Sequence, residues 1–169
     1  MTAKSGRMAR CRCGAVEIEA IGAPIVSSVC YCADCQEGSL QIEALPDAGR
    51  VRDEDGGTAY LLFRKDRIHC SKGAGLLKNH KINAHSATNR VVATCCNSAM
   101  LMNFDKGPFW VCAYRARFPD ALPPLDMRIC TRSRPKDVAV PTDAPSYPGY
   151  PLPLMIKLLT AGAAMWLRR

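Results

Sequence analysis

Three clusters of cysteine constrain this chain more than any other feature of its sequence. They consist of Cys11 and Cys13, then Cys30, Cys32 and Cys35, and far downstream the adjacent pair Cys95 and Cys96. Thiolates at C-x-C and C-x-x-C spacing suit a soft, tetrahedral metal ion, of which zinc is the commonest. Gly14, directly after the first pair, permits the sharp backbone bend that C-x-C chelation requires. The spacing therefore predicts one or two zinc ions per chain.

Disulfides are the alternative use of these cysteines, and they require an oxidising compartment. The chain begins MTAKSGRMARCRC, which carries positive charge but lacks the apolar segment of a secretory signal. We therefore expect a cytoplasmic protein whose ten cysteines are reduced and available to bind metal.

The charge balance limits the class of partner less than the cysteines do. A net charge of +8 over 169 residues is compatible with nucleic acid, anionic lipid or acidic small molecules. Proteins that bind single-stranded nucleic acid usually add exposed aromatic side chains for stacking. Only 7% of the residues are aromatic, and none is interleaved with the basic groups. We therefore do not expect nucleic acid to be the partner.

Short apolar or alternating segments bounded by turn residues predict a mainly β fold made of short antiparallel sheets. The predicted strands are 15–20, 25–29, 39–45, 58–63, 66–70 and 90–94, with an extended piece at 76–82 and a hairpin formed by 99–104 and 109–114. In this interpretation residues 1–118 form a zinc-binding β domain, and the second cysteine cluster is a tight turn between two strands.

The C-terminal third differs in character. Residues 119–150 hold most of the prolines and are predicted to form an extended arm, and 151–169 an apolar helix. The apolar part of this helix, residues 152–167, would be about 24 Å long at about 1.5 Å per residue, which is short of a bilayer core of about 30 Å. We therefore predict no transmembrane span. The helix can pack on the sheet, or on a second copy in a homo-oligomer; a helix lying in a membrane interface is a further alternative.

The positions of the three clusters along the sequence suggest which cysteines bind a metal ion together. Cys11 and Cys13 need partners from elsewhere, and the late pair can supply one. Because adjacent residues of a strand point to opposite faces, we expect one of the late pair to bind, and prefer Cys96 to Cys95. Asn97 after it tolerates the left-handed conformation of a tight turn. Such a site would join distant segments and would be structural.

The second cluster offers three ligands from one short segment. Three protein ligands with a fourth position open is the pattern of a catalytic zinc, and a thiol substrate could occupy that position. A closed site with a fourth ligand from elsewhere, such as Cys70, is equally compatible with the spacing. Cys112 and Cys130 stand alone in the sequence and are predicted to be small core residues.

The motifs resemble those of the glutathione-dependent formaldehyde-activating enzymes. The resemblance is carried by Cys11-Arg12-Cys13-Gly14-Ala15-Val16, by the C-x-C-x-x-C segment from Cys30 to Cys35, and by a late cysteine turn followed by Ser98 and Met100. That family shares the Mss4-like zinc fold with centromere protein V. The resemblance implies a structural zinc on Cys11, Cys13 and the late turn, and an exchangeable zinc on Cys30, Cys32 and Cys35.

Two functions follow from these patterns. The resemblance implies a carbon–sulfur lyase-type enzyme that adds glutathione to formaldehyde, giving S-hydroxymethylglutathione. In such an enzyme Cys30, Cys32 and Cys35 would be the catalytic cluster, and the substrate would be a small thiol or aldehyde. The alternative is a non-catalytic zinc module that binds protein or nucleic acid. The late motif departs from the family's C-x-x-C-G, since Ala93 stands where the first cysteine of that motif would be.

Overall fold

A computed structural model describes residues 6–167, and it confirms the mainly β fold and the C-terminal helix. Residues 1–5 and 168–169, which belong to the predicted β domain and to the predicted helical segment, lie outside the described residues. Within residues 6–167 the strands are β1 (Gly6–Arg10), β2 (Glu17–Ile21), β3 (Val26–Cys30), β4 (Thr58–Arg64), β5 (Ile68–Lys72), β6 (Leu77–His80), β7 (Thr88–Ala93), β8 (Ser98–Phe104), β9 (Trp110–Tyr114) and β10 (Met127–Ile129). The helices are α1 (Ala33–Glu43) and α2 (Leu152–Trp166).

The strands form two sheets. A three-stranded sheet has the order β1-β2-β5, and a seven-stranded sheet has the order β10-β3-β4-β9-β8-β7-β6. All pairs are antiparallel except β10 with β3, which is parallel.

Side chains of β4 show how the layers are arranged. Leu61 and Phe63 pack in a core shared with β1 and β2, whereas Tyr60 and Leu62 pack in a second core shared with α1 and α2. This alternation is expected of a central strand covered on both faces. The large sheet therefore carries the small sheet on one face and the helices on the other.

The predicted strand 39–45 is wrong, because this segment lies mainly in helix α1. Cys32 caps the N-terminus of the helix, and Cys35, Ser39 and Ile42 are buried at intervals of three and four residues. That spacing is helical, and the side chains between these positions are mostly polar. The second cysteine cluster therefore starts a helix and does not form a turn between two strands.

The proline-rich segment contributes a strand that its sequence did not indicate. β10 lies within 119–150 and pairs in parallel with β3, with Ile129 opposite Cys30. The guanidinium of Arg128 donates to the carboxylate of Asp55 at 2.7 Å, and both side chains are buried. This ion pair holds the edge strand against the rest of the sheet.

Helix α2 packs on the large sheet through one side only. Leu154 and Leu158 are buried, and Lys157 pairs with Asp126 at 3.1 Å. The opposite side leaves Leu159 and Trp166 exposed at 70% and 78%. Within residues 6–167, every helix is too short or too polar to cross a membrane.

The packing of α2 can be tested with two neighbouring leucines. Leu158→Ala should lower the free energy of unfolding by about 2–4 kcal/mol, because it leaves a cavity between helix and sheet. Leu159→Ala, whose side chain is 70% exposed, should change it by less than about 0.5 kcal/mol. Urea unfolding measures both, and equal losses would mean that α2 does not pack as described.

Candidate functional site

The first candidate site is a group of four sulfurs. Those of Cys11, Cys13, Cys95 and Cys96 all lie within 4.8 Å of one another. The sulfur of Cys13 is 3.6 Å from that of Cys11 and 3.4 Å from that of Cys95. A metal–sulfur distance of about 2.3 Å gives a tetrahedron whose edges are about 3.8 Å. The four thiols can therefore hold one metal ion.

Two turns bring these thiols together. In the connection from β1 to β2, Gly14 adopts φ +75° and its N–H donates to the carbonyl of Cys11 at 3.0 Å. The late pair lies in the turn between β7 and β8, where Asn97 adopts φ +48°. Strand alternation, the reason for preferring Cys96 to Cys95, does not apply inside a turn. Both Cys95 and Cys96 therefore belong to the cluster, which connects the two sheets.

Polar neighbours of the first cluster favour a thiolate at Cys96, whereas desolvation and the surrounding thiols raise the pKa of Cys95 to about 12. The N–H of Val16 donates to the sulfur of Cys11 at 3.2 Å. The Ser98 hydroxyl lies 3.1 Å from the sulfur of Cys96. Desolvation opposes ionisation, but the hydrogen bond from Ser98 and those from the first cysteine pair lower the pKa of Cys96 to about 6. Metal ligation needs such ionised sulfurs.

The second candidate site lies where β3 meets α1. Cys30 is the last residue of β3, Cys32 is the N-cap of α1, and Cys35 lies in the first turn of that helix. Their three sulfurs all lie within 4.8 Å of one another. Cys30 and Cys35 are each 5% exposed, and Cys32 is half-buried. This group can also hold a metal ion.

The two neighbouring thiols, together with the helix terminus, make Cys32 the most acidic of the three thiols. Hydrogen bonds from Cys30 and Cys35 lower its pKa well below the usual range, and backbone N–H groups of the first turn add to the effect. One of these N–H groups, that of Cys35, lies 3.4 Å from the Cys32 sulfur. Unpaired N–H groups at a helix N-terminus attract negative charge. Tyr60, whose pKa burial raises well above its usual range, donates its hydroxyl proton to Cys35 at 3.7 Å.

A cavity of about 310 Å³ borders the second cluster. Most of its lining is aliphatic or aromatic and comes from the large sheet and from α2; it includes Tyr60, Leu62, Met102, Phe104, Trp110, Cys112, Tyr150, Leu154, Met155 and Leu158. The cysteines Cys30, Cys32 and Cys35 form part of its wall. A small molecule inside it would therefore lie against the thiols in largely apolar surroundings.

Arg90 is the buried cation of this cavity. Its side chain is 1% exposed, and its guanidinium donates to the carbonyl of Asp34 at 2.6 Å and to the Thr88 hydroxyl at 2.8 Å. Its Nε finds no hydrogen-bond acceptor, and no acidic side chain within residues 6–167 forms an ion pair with it. A buried charge without a counter-ion is costly, so thiolates or an anionic ligand in the cavity would compensate it.

Two of the three isolated cysteines, Cys112 and Cys130, are buried in the core, as predicted. Cys70, considered as the fourth ligand, belongs to β5 in the small sheet and bonds to the carbonyls of Glu17 and Lys72 at 3.4 and 3.1 Å. It is not near the second cluster. Cys130 lies in the same core as Cys30 and Cys35, and nothing in the local sequence around Cys130 indicated this position.

Comparison with known proteins supports the interpretation of the cysteine motifs. The family model described as "Glutathione-dependent formaldehyde-activating enzyme" matches residues 7–45, a segment that includes the first two cysteine clusters. The similarity to this family is thus shown over less than a quarter of the chain. No curated protein matches the sequence. A crystal structure of a Rhodobacter sphaeroides protein is similar at 17% identity and a TM-score of 0.48, covering 69% of this chain and 91% of that one.

Much of the two candidate sites lies downstream of the segment that the family model matches. The late cysteine turn, Cys130 and helix α2 all lie beyond residue 45. The two motifs that the family model covers supply the whole of the second cluster and half of the first. The remaining ligands and most of the cavity wall come from the rest of the chain.

The close packing of α1 on Arg90 gives a test of the site's architecture. A Cβ added at Gly38 would lie 2.1 Å from the Arg90 Nε, which is buried and held on two sides. We therefore expect Gly38→Ala to lower the free energy of unfolding by about 1–3 kcal/mol, although alanine normally favours a helix. Thermal and urea unfolding measure the effect.

Gly75→Ala is the matched control. A Cβ at Gly75 would meet nothing within 4 Å, and the residue does not have a positive φ. Its substitution should leave stability within about 0.5 kcal/mol of the wild type. A Gly38→Ala variant as stable as this control would contradict the placement of Arg90 against α1.

Proposed function

We propose that the chain binds zinc at both cysteine clusters in the reducing environment of the cytoplasm. The first cluster would be structural, because it has four thiols and joins two sheets. The second would be exchangeable, because it has three thiols beside a cavity. Sets made entirely of thiolates with sulfurs at these separations suit zinc better than magnesium or calcium, which prefer oxygen ligands.

We further propose that the second cluster adds a small thiol to an aldehyde, with glutathione and formaldehyde as the first pair to test. The observation that carries this proposal is the position of Cys30, Cys32 and Cys35 in the wall of the 310 Å³ cavity. A ligand there can reach the thiols, and it is largely shielded from bulk water by apolar side chains. The match of both N-terminal motifs to the formaldehyde-activating family supports the same choice.

The proposed reaction is a simple addition. The thiol sulfur forms a bond to the aldehyde carbon, the carbon–oxygen double bond becomes single, and the thiol proton ends on the oxygen. Bound zinc would lower the pKa of the substrate thiol, so that it reacts as thiolate.

The protein's own residues would orient and shield the reactants. Arg90 places a positive charge at the cavity wall, which favours thiolate and developing alkoxide alike. The hydroxyl of Tyr60 stays protonated and fixes the sulfur of Cys35. The aliphatic and aromatic wall limits access of water to the reacting groups.

Zinc counting and stability together test the division between the two sites. Cys13→Ser changes an exposed thiol, which would cost little stability in the absence of metal. We expect it to lose a zinc ion and to unfold largely, because structural zinc supplies folding free energy on the order of 10 kcal/mol. Cys32→Ser should lose the other zinc ion and keep its circular dichroism spectrum.

The control for this experiment is the chelated protein. Wild type and Cys13→Ser should have nearly equal stability once zinc is removed from both. If zinc-loaded Cys13→Ser and Cys32→Ser had the same melting temperature, the assignment of a structural and an exchangeable site would be wrong.

Calorimetry with glutathione tests the proposed activity. The zinc-loaded wild type should bind the thiol and accelerate formation of S-hydroxymethylglutathione from formaldehyde, followed by NMR of the adduct. Cys32→Ser should lose at least about tenfold in affinity, because zinc is the proposed anchor for the thiol sulfur. Cys70→Ser, in the small sheet and outside both clusters, should behave as wild type. Binding that is unchanged in Cys32→Ser would rule out this site.

A non-catalytic zinc module is the second candidate function, and the exposed side of α2 favours it. Leu152, Leu159 and Trp166 are between 70% and 78% exposed and lie on an apolar face of the helix. Such a face favours a protein partner over nucleic acid, and a second copy of this chain is the partner we propose. Sedimentation should then show a dimer that Leu159→Asp converts to monomer, with zinc content unchanged.

A further inference from the structure

Cys130 lies beside the second cluster because of the way in which β10 joins the large sheet. In the parallel pairing of β10 with β3, Ile129 is opposite Cys30, and the N–H of Tyr31 donates to the carbonyl of Ile129 at 3.1 Å. Cys130 is the next residue. Its thiol is 7% exposed and lies in the same buried core as Cys30 and Cys35. Four cysteines therefore meet at this end of the sheet.

The backbone of Cys130 has an unusual conformation. It adopts φ +58° and ψ 32°, the left-handed region, which is unfavourable for a residue that carries a Cβ. Within residues 6–167, the other non-glycine residues with positive φ are Asp47 and Asn97, whose side chains tolerate this region best. A cysteine held there is strained, and such strain is typical of functional positions.

Several contacts fix this conformation. Arg128, two residues earlier, pairs with Asp55 at 2.7 Å and with Asp143 at 2.8 Å. The N–H of Cys130 donates to the carbonyl of Gly149 at 3.2 Å. The thiol is thus held beside Cys30 by two segments of the C-terminal arm.

We propose that Cys130 is the fourth protein ligand of the second cluster, and that an external thiol must displace it to bind. The inference rests on the proposed function only in assuming that Cys30, Cys32 and Cys35 hold a metal ion. Four thiols supply the complete tetrahedral set that zinc prefers, whereas the three of one short segment do not.

The position of Cys130 suits a replaceable ligand. The sulfurs of Cys30, Cys32 and Cys35 all lie within 4.8 Å of one another, and Cys130 stands outside this group but in the same buried core as Cys30 and Cys35. It also comes from a different part of the chain from the other three. Its release would therefore leave the chelate of the other three intact and open one position toward the cavity. The protein's own thiol would then compete with small thiols for that position.

Cadmium NMR of the full chain tests this assignment without mutation. With ¹¹³Cd in place of zinc, two cadmium resonances are expected, and proton–cadmium correlation identifies the cysteine β-protons coupled to each ion. We expect the second ion to correlate with Cys30, Cys32, Cys35 and Cys130. Correlation with the first three alone would overturn the inference and leave the proposed metal site standing. A single cadmium resonance, from the first cluster, would overturn both.

A pair of variants tests the displacement. In Cys130→Ala the cadmium resonance of the second cluster should move toward the range of sites with three sulfurs and one oxygen. The Kd for glutathione should fall by at least tenfold, because the internal thiol that competes with glutathione is gone. Cys70→Ala, which removes a thiol from the small sheet, should change neither. A Kd for glutathione that is equal in Cys130→Ala and wild type would overturn the gating role. Failure of glutathione to bind either protein, with the Cys130 correlation present, would instead refute the proposed catalytic function.

Discussion

The four thiols that join the turn after β1 to the turn after β7 are the contact on which the rest of the structure depends. The small sheet has three strands of five residues each and one apolar face, which is close to the minimum for a stable sheet. Its core against the large sheet combines large side chains such as Ile18 and Phe63 with small ones such as Ala9, Ala20 and Ala93. The small side chains contribute little to the stability of this core. A metal ion on Cys11, Cys13, Cys95 and Cys96 would fix the sheets together from the edge of this core.

The second cluster depends on a different principle, the meeting of a strand end with a helix N-terminus. β3 is buried along its whole length, so Cys30 is placed rigidly at its end. Helix α1 then begins within three residues and directs its free N–H groups at Cys32. This gives a low-pKa thiol next to two buried ones, in a region that is otherwise apolar. Thiolate character in such surroundings comes from the neighbouring thiols and, to a lesser extent, from the backbone N–H groups of the helix terminus.

Local patterns in the sequence predicted much of the fold and the membership of both clusters. Alternation identified β2, β4 and the β8–β9 hairpin, and C-x-C and C-x-x-C spacing identified the thiols that come together. Helix α1 was missed because its apolar positions were interpreted with a period of two. β10 and the position of Cys130 beside Cys30 could not be predicted, since they depend on a parallel pairing between residues about 100 apart, held by the Arg128–Asp55 ion pair.

The C-terminal arm and α2 give this chain a site that its N-terminal motifs alone would not make. The matched segment supplies Cys30, Cys32 and Cys35, but the wall opposite them includes Leu154 and Leu158 of α2, and Tyr150 lies at the exposed rim. Because the lining next to the cysteines is mostly apolar with one buried cation, it would favour the thiolate group of a ligand over its other polar groups. The thiols would thus determine which chemistry is available, and the arm would determine which molecules can reach it.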